Sequence, residues 1–185
     1  LYRRLGFTVG ARNRHAWGTL NHIVQFSGSF LELIATEPGF ARPRDDEPPA
    51  RFAGQLADYL AKGDGLAMLV LEGTDSKAHQ AEFGRRGIGL GAKPFFFERR
   101  GKRPDGSDVH VAFTLAFAQS PAIQDAGFFV CQQHNPQAFW NPAFQAHANT
   151  VMGIASVVMV SDTPHEQARF LAEFCGAEGT CTVDG

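Results

Sequence analysis

Two side chains, a carboxylate within an apolar strand and a histidine beside an aromatic segment, are the best placed in this sequence to carry out chemistry. Glu32 lies within Phe30-Leu31-Glu32-Leu33-Ile34, and strand alternation puts it on one face with Phe30 and Ile34. A carboxylate in such a strand needs a metal, a cationic side chain or water as its partner. Glu32 is therefore either a solvated or salt-bridged strand residue, or a metal ligand or general base that projects into a cupped sheet.

His134 follows a predicted strand and begins the aromatic segment His134–Phe144. An imidazole suits proton transfer near neutral pH. If this segment covers a cavity, His134 is the leading candidate for general acid/base chemistry, and His147 just beyond the segment is a candidate to bind substrate. The alternative is that the aromatic side chains Phe139, Trp140 and Phe144 pack as a small satellite core.

A third candidate site lies ahead of the first predicted hairpin. His15 stands beside Arg12, Arg14 and Trp17, a set suited to an anionic or carbonyl-bearing small molecule with the indole as an apolar wall. The alternative is an exposed basic loop. The hairpin itself is predicted from two β-rich runs, Leu20–Phe26 and Phe30–Ala35, on either side of Ser27-Gly28-Ser29.

Composition narrows the class of protein. The chain has 185 residues, of which 44% are hydrophobic, so it can bury a substantial core. A formal charge of -2 gives no basic footprint for nucleic acid, and no apolar run approaches the ~20 residues of a membrane helix. Its three cysteines form no disulfide framework. We expect a cytoplasmic protein whose partner is a small molecule and neither a nucleic acid nor a membrane, and a homodimer is compatible with the sequence.

The order of predicted elements points to a repeated unit. Strand, helix and three strands follow one another over Gly65–Leu71, Ser76–Arg86, Lys93–Glu98, Val109–Phe117 and Gly127–Gln132. Similar glycine-terminated helix endings recur at Leu5-Gly6, Phe83-Gly84 and Cys175-Gly176, which are about 80 to 90 residues apart. The sequence therefore predicts tandem βαβββ modules.

We predict an α+β protein whose modules form a cupped mixed sheet truncated at both ends. Residues 1–38 are the first module without its first strand, 39–63 a linker and bridging helix, and 64–135 the second module. Residues 136–150 are an aromatic loop. Residues 151–185 begin a third module, with a strand at Gly153–Val160 and a helix at Glu166–Cys175.

Three motifs carry a resemblance to a known family: Trp17-Gly18-Thr19-Leu20-Asn21, Phe30-Leu31-Glu32-Leu33, and Cys131-Gln132-Gln133-His134 followed by Phe139-Trp140. Together with the tandem βαβββ order they resemble the vicinal oxygen chelate superfamily, in its glyoxalase-like branch of bacterial proteins. That superfamily includes glyoxalases, extradiol dioxygenases, epimerases, fosfomycin-modifying transferases and metal-free drug-binding proteins, so the resemblance predicts the fold better than the reaction.

The resemblance implies a divalent ion held by His and Glu side chains from the first and last strands of paired modules. Glu32 occupies the last-strand position of the first module, but the second module has Val130 or Gln132 where a carboxylate is expected. The expected metal ligands are therefore Glu32 and, as a substitute, His134. The ion would be Zn, Fe, Mn, Ni or Mg, and a protein without any cofactor is equally compatible with the sequence.

On this basis we expect a protein that acts on a small oxygen-bearing molecule by metal-assisted lyase, isomerase or dioxygenase chemistry. Glu32 and His134 are the expected catalytic residues. The alternative is a metal-free protein that binds or sequesters a small molecule, as resistance proteins do. The expected substrate-binding residues are His15, Trp17, Asn21, Gln132, Phe139, Trp140 and His147.

Overall fold

The structure is a computed structural model, and it describes residues 1–42, 47–102 and 106–176. This part of the chain contains seven β-strands in two sheets, four α-helices and two short 3-10 turns, which confirms the predicted α+β class. None of its helices has the length and apolar character needed to cross a membrane. The chain divides into two compact units: unit 1 comprises described residues within 1–63 and 136–158, and unit 2 those within 64–135 and after 158.

The sheet of unit 1 is antiparallel throughout. Its strands β1 (Asn13–Arg14), β2 (Thr19–Phe26) and β3 (Ser29–Thr36) lie in sequence order. The predicted hairpin is β2–β3, and Gly28 in its turn has a φ of 78°, which only glycine adopts readily. The register places Glu32 opposite Ile23 and Phe30 opposite Gln25, so all four share one face of the sheet.

Helices and turns complete unit 1. Helix α1 (Pro48–Leu60) lies against β3 and buries Phe52 and Leu56. A 3-10 turn at Tyr2–Leu5 ends at Gly6, whose left-handed conformation satisfies the last carbonyls of the turn. The second segment of unit 1, within residues 136–158, contributes the four-residue helix α3 (Pro136–Phe139) and a 3-10 turn at Pro142–Phe144.

Unit 2 contains one complete βαβββ module, as predicted. Its elements are β4 (Met68–Glu72), α2 (Ser76–Arg85), β5 (Phe95–Lys102), β6 (Asp108–Ser120) and β7 (Ile123–Gln133). The strands lie in the order β4-β7-β6-β5, with β4 parallel to β7 and β6 antiparallel to both of its neighbours. Asp75 caps α2, since its carboxylate accepts hydrogen bonds from the backbone N–H groups of Lys77 and Ala78.

An aromatic cluster forms the core of unit 2. Helix α4 (Pro164–Cys175) contributes Phe170 and Phe174, which pack against Phe83 of α2 and Phe128 of β7. The ring centroids of Phe128 and Phe170 are 4.9 Å apart in an edge-to-face arrangement. Both helices therefore cover the same face of the four-stranded sheet.

Two predictions about strands were wrong. Gly153–Val160 forms no strand despite its β-rich sequence, because no strand in the described part of the chain pairs with it. Its side chains are exposed, to 81% at Val158 and 91% at Val160. The polar segment predicted as a turn at Arg99–Asp108 is shorter than expected, since β5 continues to Lys102 and β6 begins at Asp108. Residues 103–105 lie outside the described part.

The fold of unit 2 requires a glycine after β4. A Cβ at Gly73 would lie 2.3 Å from Cγ1 of Val130, a buried side chain with stiff rotamers. We expect Gly73→Ala to lower the free energy of unfolding by about 1–3 kcal/mol through overpacking. Urea unfolding followed by circular dichroism measures this.

Gly84→Ala is the matched control, because Gly84 lies within α2 and nothing stands within 4 Å of its added Cβ. This substitution should leave stability unchanged or raise it by up to about 1 kcal/mol. Equal destabilisation by both substitutions would show that the contact with Val130 does not limit the size of the side chain at position 73.

Candidate functional site

Buried polar side chains line one face of the unit 1 sheet. Thr19, Asn21 and Gln25 alternate along β2 and are only 0%, 3% and 5% exposed. Burying such groups is costly unless they are hydrogen-bonded, and each of them has a hydrogen-bond partner. This polar face also carries Glu32, which is exposed to solvent.

Side-chain hydrogen bonds connect Asn13, Asn21 and Glu32. Nδ2 of Asn13 donates to Oδ1 of Asn21 over 2.9 Å, and Nδ2 of Asn21 donates to Oε1 of Glu32 over 2.5 Å. The three side chains come from β1, β2 and β3 and share the polar face. We call this set the Asn13–Asn21–Glu32 chain. The two hydrogen bonds of this chain connect all three strands of the sheet.

A second polar group lies at the far end of the same face. Nδ1 of His15 is 2.8 Å from Oγ1 of Thr19, and the imidazole stacks on Trp17 with centroids 4.6 Å apart and planes within 3°. Trp17 in turn packs edge-on against Phe52 of α1. His15 is only 6% exposed, so the alternative of an exposed basic loop does not describe it.

The two arginines of the predicted cluster are arranged differently from His15. Arg12 and Arg14 are both exposed. Arg14 forms an ion pair with Glu37, its Nε 2.5 Å from Oε1 of the carboxylate. The histidine and the indole are thus brought together as predicted, while Arg14 is engaged elsewhere on the surface.

An aromatic cluster flanks the polar face at the hairpin end. Phe30 contacts Phe139 and Trp140, with ring centroids 5.1 and 5.9 Å away. Gln25 fixes this segment: its Nε2 donates to the Phe139 carbonyl over 2.7 Å, and its Oε1 accepts from the Asn141 N–H over 3.0 Å. The predicted aromatic loop is therefore anchored to β2.

His147 holds two distant parts of unit 1 together. Its Nδ1 accepts a hydrogen bond from the Thr8 N–H over 3.0 Å, and its Nε2 donates to the Gln25 carbonyl over 2.8 Å. The ring also contacts Phe7 and Phe26. Both ring nitrogens are engaged by backbone groups, which is a structural arrangement and leaves neither of them directed at a substrate.

The remaining predicted site residues belong to unit 2. His134 is exposed, with Nε2 2.7 Å from Oγ1 of Thr114, and its ring contacts Phe96. Oε1 of Gln132 accepts the backbone N–H of Ser76, the first residue of α2. Gln132 thus anchors a helix, and His134 is oriented by a threonine.

The residues of the polar face do not fit a metal centre. Across residues 1–42, 47–102 and 106–176, no three His, Cys, Asp or Glu side chains are grouped to hold an ion. One neighbour of Glu32, Asn21, presents an amide N–H to it, and such a group donates hydrogen bonds instead of coordinating a cation. A divalent ion needs several oxygen or nitrogen ligands. We therefore derive no step through a metal.

The comparison with protein families agrees with this architecture. The model of a glyoxalase-like domain matches residues 1–175. The chain belongs to this family. Glyoxalase-like domains are part of the vicinal oxygen chelate superfamily, so the resemblance inferred from the sequence is confirmed. No curated protein and no solved structure shows a significant match to the chain.

Four polar residues around these sites were not predicted: Asn13, Thr19, Gln25 and Thr114. The sequence could have indicated two of them. Thr19 and Gln25 lie an even number of residues from Asn21, so strand alternation places all three side chains on the same face of β2. Asn13 carries no such signal, since β1 is only two residues long.

The structural role of His147 can be tested by removing its ring. In His147→Ala the half-buried N–H of Thr8 loses its acceptor, and we expect the free energy of unfolding to fall by about 1–3 kcal/mol. Thermal and urea unfolding measure this loss. His165→Ala is the control, because His165 is exposed. A variant as stable as the parent would contradict the structural role of His147.

Proposed function

We propose that the polar face of unit 1 binds a small oxygen-bearing molecule and that Glu32 accepts a hydrogen bond, and then a proton, from it. The family of the chain supports this proposal, because the superfamily of glyoxalase-like domains includes glyoxalases, which act on such molecules. The aromatic cluster of Phe30, Phe139 and Trp140 supplies an apolar wall for the ligand.

The observation that supports this proposal best is the hydrogen bond from Asn21 to Glu32. It holds an exposed carboxylate at the centre of a strand whose neighbours are apolar, by means of an amide that is almost completely buried. A solvated surface glutamate needs no such buried support. A carboxylate oriented by fixed donors is, by contrast, what proton transfer to a general base requires.

The proposed reaction is proton removal next to a carbonyl group. Glu32 takes the proton of the carbon that bears the hydroxyl; the electron pair of the broken C–H bond forms a C=C double bond, and the π pair of the carbonyl moves onto its oxygen, which gives an enediolate. Return of the proton to the former carbonyl carbon, with transfer of the hydroxyl proton to the other oxygen, would make the protein an isomerase.

Binding without conversion is the second candidate function. It is supported by the finding that no three His, Cys, Asp or Glu side chains are grouped to hold an ion among the described residues, since the superfamily includes drug-binding proteins that use no metal. Both functions use the same face and the same aromatic wall. They differ in whether a proton leaves the ligand.

Calorimetric titration and proton exchange with α-hydroxyacetophenone test both functions. This probe has an aromatic ring, vicinal oxygens and exchangeable α-protons. Glu32→Gln should weaken its binding about tenfold or more, since hydrogen bonds to charged groups contribute about 1.5–3 kcal/mol. Proton NMR in D2O should show α-deuteration by the parent protein and none by the variant.

Glu37→Gln is the matched control, because it changes a carboxylate of unit 1 that pairs with the exposed Arg14. It should alter neither binding nor exchange. Binding without exchange in the parent would favour the sequestering function, and unchanged binding by Glu32→Gln would contradict both functions.

Metal analysis of the purified protein tests the metal-assisted alternative. We expect less than one divalent ion per chain in the parent and no change in Glu32→Ala, because no three His, Cys, Asp or Glu side chains of the described residues are grouped to hold an ion. A stoichiometric ion that disappears in Glu32→Ala would overturn this expectation and make Glu32 a ligand.

A further inference from the structure

One side-chain amide of β2 holds both peptide groups that flank Trp140. Nε2 of Gln25 donates to the Phe139 carbonyl over 2.7 Å, and Oε1 of Gln25 accepts from the N–H of Asn141 over 3.0 Å. The carbonyl belongs to the peptide group before Trp140, and the N–H belongs to the peptide group after it. Peptide groups are planar, so the only soft backbone dihedrals between these two groups are the φ and ψ of Trp140. Gln25 therefore fixes the backbone at Trp140 and the direction of its Cα–Cβ bond.

The amide of Gln25 is itself held in place. Gln25 is 5% exposed and lies in β2, the central strand of its sheet, where Phe30 is its neighbour on β3. Its backbone carbonyl accepts a further hydrogen bond, 2.8 Å long, from Nε2 of His147. The two partners of the side chain determine the orientation of the amide, because a carbonyl only accepts and an N–H only donates. The glutamine thus connects the β2–β3 hairpin to the segment that carries Trp140.

The rings on either side of this connection form a corner. The Trp140 ring is 5.0 Å from Phe139 at 87° and 5.9 Å from Phe30 at 66°, and the two phenyl rings are 5.1 Å apart at 59°. All three residues are half-buried, so part of the corner is accessible. The face of an aromatic ring is electron-rich and its edge is electron-poor, which favours inclined arrangements. A corner of inclined rings offers both kinds of surface to a further ring.

We propose that Gln25 is a positioning residue that fixes Trp140 and thereby makes the aromatic cluster selective for planar aromatic groups, in preference to saturated groups of the same size. This inference rests on the proposed function and deepens it by naming the class of apolar group that the ligand carries. An aromatic ring in the corner gains edge-to-face contacts, whereas a saturated ring gains only dispersion and desolvation. The edge-to-face contacts depend on ring orientation, so they require a fixed backbone at Trp140.

Acetophenone and cyclohexyl methyl ketone measure this selectivity. They share the methyl ketone group and differ in whether the six-membered ring is aromatic or saturated. In ligand-observed NMR titrations the parent protein should bind acetophenone about three- to tenfold more tightly. In Gln25→Met this ratio should fall to about one, because the thioether cannot donate to the Phe139 carbonyl and accepts only weakly from Asn141. An unchanged ratio in Gln25→Met would overturn the inference.

Gln25→Glu separates positioning from a general loss of packing, and it serves as the second variant if Gln25→Met does not fold. At pH 5 burial favours the protonated carboxyl group, which donates to the Phe139 carbonyl and accepts from Asn141 as the amide does. At pH 9 the ionised carboxylate cannot donate and repels the carbonyl oxygen. The ratio for the two ketones should therefore equal that of the parent at pH 5 and fall to about one at pH 9. The same ratio at both pH values would contradict positioning by this side chain.

The parent protein at both pH values is the control for protonation of other groups of unit 1, such as Glu32 and His147. Their effects on the shared ketone group cancel in the ratio. Gln124→Met is the matched control for the substitution, because Gln124 is an exposed glutamine of β7 in unit 2. It should leave the ratio unchanged.

Hydrogen exchange tests the fixed backbone without any ligand. The N–H of Asn141 loses its acceptor in Gln25→Met, so NMR should show it exchanging about tenfold faster than in the parent. Gln124→Met should not change its exchange rate. Equal exchange in Gln25→Met and the parent would show that Gln25 does not hold the backbone at Trp140, and this would overturn the inference.

The binding results distinguish this inference from the proposed function. If the parent binds α-hydroxyacetophenone but does not discriminate between the two ketones, only the selectivity proposed here fails. If the parent binds none of the three compounds, the proposed function fails and the selectivity fails with it.

Discussion

The antiparallel register between β2 and β3 determines which side chains share the polar face of unit 1. With Ile23 opposite Glu32, the carboxylate stands on the same face as Asn21 and within reach of its amide. A slip of one residue would send Glu32 to the opposite face, where Val24 and Phe26 are buried. The two-residue reversal at Ser27-Gly28, with glycine in a left-handed conformation, holds this register.

The two modules use the polar residue of their last strand in different ways. In unit 2, Gln132 of β7 accepts the first free N–H of α2, so its side chain stabilises the start of a helix. In unit 1, Glu32 of β3 is exposed and supported from a neighbouring strand. The last strand of one module thus carries an amide that holds the start of a helix, and the last strand of the other carries an exposed carboxylate.

Much of the fold was accessible from the sequence because it depends on short-range patterns. Alternation predicted the face that Glu32 shares with Phe30, and the repeat of helix endings predicted the module that unit 2 displays. Gly153–Val160 shows the limit of such patterns. Its β-rich sequence favours a strand, but strand formation depends on a hydrogen-bonded neighbour, which a local pattern does not supply.

The site was less predictable, since its decisive contacts join residues far apart in sequence. Asn21 was implicated through the family motif alone, and its partner Asn13 depends on the pairing of a strand only two residues long. His147 looked like a candidate to bind substrate. Its actual partners, Thr8 and Gln25, lie more than a hundred positions earlier, beyond what spacing reveals.

The origin of unit 1 from two separate stretches has a consequence for its evolution and for any attempt to isolate it. A polypeptide that ends at Asn135 would retain every residue of the Asn13–Asn21–Glu32 chain. It would nevertheless lose Phe139 and Trp140, which pack against Phe30, and it would lose His147, which connects Thr8 to β2. The first module is therefore incomplete without the later segment. A recombination event that transfers Glu32 with its surroundings must also transfer residues 136–158.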